Sequence, residues 1–105
     1  MNLTRIEQLL KYLEEDPNDA FSLYALALEY KGDKPAEAER LFDKLLASHP
    51  DYLPTYYQAA QLMETTGQTD KALKLFATGI ELAKKQNNQA TLRELQAAYD
   101  LLAEG

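Results

Sequence analysis

The sequence predicts an all-α fold, a stack of antiparallel helical hairpins. One observation is a repeated pattern: Leu23, Leu26, Ala27, Tyr30, Ala38, Phe42 and Pro50 are echoed by Tyr56, Ala59, Ala60, Met63, Ala72 and Phe76 about 33 to 34 residues later. A second is that apolar residues recur at helical spacing from Leu3 to Leu102, with no strand-like alternation between them. A third is that the breaks are short and fall at Pro, Gly and Asn, as expected between neighbouring antiparallel helices.

The first helix is carried by Leu3, Ile6, Leu9, Leu10 and Leu13 and runs to about Glu15; Thr4 with Glu7 has the form of a capping box. Asp16-Pro17-Asn18-Asp19 ends it, because Pro17 disfavours helical geometry at Asp16, and Asn18 or Asp19 can cap the next helix. The second helix is expected from about Ala20 to Lys31. After Gly32-Asp33-Lys34 the third begins at Pro35, whose missing N–H costs nothing in a first turn, and runs to Ser48. His49-Pro50-Asp51 stops it, and the fourth starts near Leu53 with Pro54 in its first turn. Gly67 can adopt the left-handed conformation that closes that helix, and Thr69 can cap the fifth, expected over Asp70 to Lys85. Lys84 and Lys85 sit favourably at its negative end. Asn87-Asn88-Gln89 is the last turn, followed by a sixth helix with Leu92, Leu95, Tyr99 and Leu102 as its apolar stripe.

At 105 residues the chain fits one domain, and 46% apolar with 27% charged residues argues against disorder. The formal charge of −6 would repel a phosphate backbone, so nucleic acid is not an expected partner. With no cysteine there is no disulfide, thiolate metal site or thiol nucleophile. The N-terminal residues Met1 to Glu7 lack the features of a secretory signal, and no window nears the ~18 consecutive apolar residues of a membrane span. The expectation is a soluble, cytoplasmic protein with no membrane partner.

From the second helix to the fifth the chain resembles the tetratricopeptide repeat family, whose pattern sets a bulky residue, Leu, a small residue and Tyr along one helix, then Ala, an aromatic and a terminal Pro along the next. Leu23, Leu26, Ala27, Tyr30, Ala38, Phe42 and Pro50 match in the first repeat; Tyr56, Ala60, Gly67, Ala72 and Phe76 match in the second. The small residues allow close approach of helix backbones, with Ala27 and Ala60 facing Ala38 and Ala72. The first repeat departs by a turn one residue short, with Gly32 displaced. The second has Ala59 for the usual Leu, Met63 for Tyr and Lys84 for the terminal Pro. The resemblance implies a right-handed solenoid of about six helices in one domain, residues 1–105. Its parts are an N-terminal helix (1–17), two repeats (18–52 and 53–86) and a C-terminal capping helix (87–105).

The second helix is apolar nearly all round. Once Leu23, Leu26, Ala27 and Tyr30 are assigned to the repeat core, Phe21, Tyr24 and Leu28 remain as a second stripe at i, i+3 and i+7. Aligned between repeats, Tyr24 corresponds to Tyr57, Leu28 to Gln61 and Phe21 to Pro54. These positions line the family's concave face, so the resemblance implies a peptide-binding groove of Phe21, Tyr24, Leu28, Tyr57, Gln61, Glu64 and Arg93, with Tyr24 and Tyr57 side by side. Packing is the competing reading: Phe21 on Leu10 or Leu13, and Leu28 under a chain terminus. Family members that grip a C-terminal carboxylate use Lys, Asn and Arg where this chain has Tyr24, Leu28, Gln58, Ala90 and Glu94, so that clamp is absent. Glu64 and Asp100 would make one end acidic, with Arg93 the one obvious cation, and a peptide of mixed apolar and basic character would fit best.

Nothing else in the sequence carries chemistry. His49, the sole histidine, lies at a helix end. There is no Gly-rich phosphate loop, and Asp16-Pro17-Asn18-Asp19 lacks the glycine and distal glutamate of a calcium loop. Glu14 with Glu15, Glu37 with Glu39, and the lysines 71, 74, 84 and 85 read as solvated charge. The expected function is a non-enzymatic interaction module that takes a peptide or helix of an unidentified partner protein, with no metal or cofactor. The alternative is a structural unit that buries the same apolar face in a homodimer.

Overall fold

Among the residues described by the computed structural model, 2–105, there are six helices and no strand. Met1, which begins the expected N-terminal segment, lies outside the described residues. The helices are α1 (Leu3–Glu15), α2 (Ala20–Tyr30), α3 (Pro35–Ser48), α4 (Pro54–Thr65), α5 (Thr69–Lys85) and α6 (Gln89–Glu104). The chain divides into two compact units, one ending at Thr55 and one spanning Tyr56–Gly105, so the division falls in the first turn of α4.

In the first unit α2 packs against both α1 and α3. Ile6 and Leu9 of α1 and Ala25 and Leu26 of α2 form a buried cluster, with Leu13, Tyr30 and Leu41 against it. Ala27 and Ala38, the small residues of the repeat pattern, are buried, as are Phe42 and Leu45. The α1 cap differs from the expected Thr4–Glu7 box. Asn2 accepts the Arg5 N–H at 3.0 Å, which leaves Thr4 already inside the helix. Asp16 is extended, as Pro17 requires, and donates its N–H to the Tyr12 carbonyl at 2.9 Å. Asp19, not Asn18, caps α2: its Oδ2 accepts from the Ser22 N–H at 2.9 Å and the Ser22 hydroxyl at 2.6 Å.

In the second unit α5 packs on α6, and its ring contact with α4 joins Phe76 to Tyr57. Tyr56, Ala60, Met63, Ala72, Phe76, Ile80 and Leu95 are buried. Gly67, at φ +79°, closes α4, with the Gln68 N–H reaching back to the Met63 carbonyl at 2.7 Å. Asn87 closes α5 in the same way at φ +55°, the Asn88 N–H reaching the Ala83 carbonyl at 3.0 Å. Thr69 is not a cap. It is the first residue of α5, and Gln68 before it makes no side-chain capping bond. Asn88 does cap α6, accepting the Thr91 N–H at 3.0 Å. No described helix is long and apolar enough to cross a membrane.

Candidate functional site

In the first unit Phe21, Tyr24 and Leu28 come together as the second stripe of α2 and, with Ala25, Arg5 and Glu29, line an open hollow of about 360 Å³. Phe21 is 57% exposed and Leu28 38%. Phe21 does not share the hollow of Leu10 and Leu13, which line a different one with Leu23, Leu26 and Tyr30. Tyr24 is half-buried, its ring edge-on to Tyr52 with centroids 5.6 Å apart, which fixes its orientation. Glu29 organises the rim. Its carboxylate takes Arg5 Nε at 3.1 Å and the Asn2 N–H at 3.2 Å, tying the first turn of α1 to α2.

The larger hollow, about 690 Å³, lies within the second unit. Helix α4 contributes Tyr57, Gln61 and Glu64, and α5 contributes Phe76; α6 supplies Glu94, Ala97, Ala98, Leu101 and Leu102. Tyr57 is held edge-on to Phe76 at 6.0 Å. Leu101 is 74% exposed, a bulky apolar side chain left in water beside the hollow. Arg93 does not line it. The α6 residue on this face is its neighbour Glu94, since one residue along a helix turns the side chain by about 100° and Glu94, Ala97, Ala98 and Leu101 share the i, i+3, i+4, i+7 face. Asp100 is also outside it, its Oδ1 accepting from Gln96 Nε2 at 3.1 Å. The signal for Leu101 was in the sequence: it is surplus to the Leu92, Leu95, Tyr99 and Leu102 stripe, as Phe21 and Leu28 are surplus on α2.

His49 serves the fold. It follows α3, and its Nε2 pairs with the Asn18 carbonyl, which can only accept, so this nitrogen carries the proton. Among the described residues no group of three or more His, Cys, Asp or Glu side chains is placed to hold a metal ion.

The sequence model of the tetratricopeptide repeat matches residues 30–99. The chain belongs to the tetratricopeptide repeat family. It is similar to a tetratricopeptide repeat domain protein from Salinibacter ruber. Against the solution structure of that protein, identity is 42%, coverage is 83% of this chain and 89% of that one, and the TM-score is 0.78. Against its crystal structure the values are 40%, 82% and 97%, and 0.77. A protein from Bordetella parapertussis shares the fold at a TM-score of 0.82, with 18% identity over 99% of this chain and 90% of that one. No curated protein matches the sequence.

Tetratricopeptide repeats are a general protein–protein interaction fold, typically a non-catalytic scaffold, so membership implies protein partners. In this tetratricopeptide repeat chain the positions expected to meet a partner fall into two sets. Phe21, Tyr24 and Leu28 belong to the first unit; Tyr57, Gln61 and Glu64, joined by Glu94 and Leu101, belong to the second.

Proposed function

We propose that this chain is a binding module without a catalytic role, which receives a peptide or helical segment of a partner protein on the apolar surfaces of α2, α4 and α6. The observation that carries this reading is the hollow of the second unit, a recess of about 690 Å³ that mixes apolar with acidic side chains, with Tyr57 oriented within it and Leu101 exposed at its edge. Aromatic side chains with a polar tip supply contact area at low entropic cost, and an exposed leucine gains by being covered. Phe21 and Leu28 add a second patch of the same character. A cytoplasmic setting suits a chain without cysteine.

The test uses residues whose removal leaves the core intact. Wild-type chain and a Phe21→Ser, Leu28→Ser, Leu101→Ser variant are immobilised, captured proteins are identified by mass spectrometry, and direct binding is repeated with the purified partner. The expected result is unchanged helical circular dichroism and loss of the partner by the variant. An identical set of direct partners would remove these surfaces from consideration. Self-association would use the same apolar residues. Light scattering across concentration is expected to return a monomer, and a concentration-dependent dimer abolished by the triple variant would favour the homodimer instead.

A further inference from the structure

The two hollows differ in how their charge is balanced. In the first, Glu29 is matched by Arg5 at 3.1 Å and by a backbone N–H, so its rim is neutral without a ligand. In the second, Glu64 and Glu94 line the recess beside Tyr57, Leu101 and Leu102, and no Lys, Arg or His lines it. Neither carboxylate has an ion-pair or side-chain hydrogen-bond partner among the described residues. An apolar segment laid over them would strip water from two unpaired negative charges, which is unfavourable unless the segment supplies cations. The chain's net charge of −6 acts in the same direction at longer range.

From this contrast we infer that the occupant of the second-unit hollow is a basic, apolar protein segment: a Lys or Arg side chain for Glu64 and Glu94, next to bulky aliphatic or aromatic side chains that cover Tyr57 and Leu101. The inference rests on the reading of this hollow as a binding surface and specifies the chemistry that surface selects. Its affinity falls as salt rises, because the ion pairs form at an open rim.

Selection from a random-peptide display library on the immobilised full chain tests it, followed by affinity measurement of the enriched peptides. The expected result is enrichment of Lys or Arg beside Leu, Ile, Phe or Trp. Binding weakens about two- to five-fold for each of Glu64→Gln and Glu94→Gln, and is lost on Leu101→Ser. Glu64 and Glu94 are exposed, so the glutamine variants keep the fold. Peptides that require Leu101 but carry acidic or neutral residues, with affinity indifferent to the glutamine substitutions, would overturn the charge assignment and leave the binding surface standing. Failure to enrich any peptide that requires Leu101 would overturn both.

Discussion

Gly79 of α5 lies so close to Tyr56 of α4 that a Cβ added at position 79 would stand 2.8 Å from the Tyr56 Cβ, with Leu95 Cδ1 of α6 at 3.1 Å. Three helices meet at this point, and the meeting depends on a residue without a side chain. The nearest atom is a Cβ bonded to backbone, so no rotamer change relieves the contact. Gly79→Ala gains about 1 kcal/mol of helix propensity, but overpacking costs about 1–3 kcal/mol. The expected outcome is net destabilisation of about 1 kcal/mol by urea unfolding. Gly32→Ala, with nothing within 4 Å, is the control for the crowding, and it should change stability far less.

Asp19 ties α2 to pH. The Ser22 hydroxyl first, then the Ser22 backbone N–H, hold its carboxyl below the ordinary value; partial desolvation opposes them and the nearby His49 adds a little. A carboxyl whose folded pKa is depressed contributes stability that is fully present above its unfolded value of about 3.9 and is lost as pH falls through the lower folded value. Asp19→Ala should therefore cost about 1 kcal/mol at pH 7, the usual worth of such a cap. The gap from wild type should narrow as pH falls below the unfolded value, and a gap that stayed constant in acid would argue against the cap's charge as its source.

The Arg5–Glu29 pair should be worth more than a bare surface ion pair, because Glu29 also accepts the Asn2 N–H at the start of α1. Glu29→Ala is expected to lose about 1 kcal/mol and to speed amide exchange in the first turn of α1. Added salt should shrink the ion-pair share of this loss.

How far the sequence reveals this molecule depends on which physical signal each residue carries. Helix boundaries were legible at Pro17, Pro35, Pro54 and Gly67, where backbone chemistry allows few conformations, and the buried small residues Ala27, Ala38, Ala60 and Ala72 were legible from the repeat. Caps were less so. The Thr4–Glu7 spacing was real, but Asn2 lay closer to the first helical residue, and a single register step decides which side chain reaches the free amides. The same step separates Arg93 from Glu94, which turns the expected cation of the surface into an acid. Subtracting the core stripe leaves Phe21, Tyr24 and Leu28 over on α2 and, by the same logic, Leu101 on α6. Tyr52 and Glu29 act through partners distant in sequence, which no local pattern discloses.

The aromatic and aliphatic residues of the two hollows should separate under mutation. Tyr24 and Tyr57 each hold a ring contact, so Tyr24→Ser and Tyr57→Ser are expected to lose about 1–3 kcal/mol by chemical denaturation. Leu101→Ser and Phe21→Ser, exposed in the free chain, should stay within about 0.5 kcal/mol of wild type. Equal losses across the four would mean that the exposed pair is packed and unavailable to a partner.

Amide chemical-shift mapping on the ¹⁵N-labelled full chain, titrated with a display-selected basic apolar peptide, bears most directly on the binding surface. Saturable shifts should concentrate at Tyr57, Gln61, Glu64, Glu94, Ala98 and Leu101. Shifts confined to the exposed residues of α3, such as Ala36, Asp43 and Ala47, with α4 and α6 unmoved, would contradict the assignment of the hollow as the place where this tetratricopeptide repeat chain meets its partner.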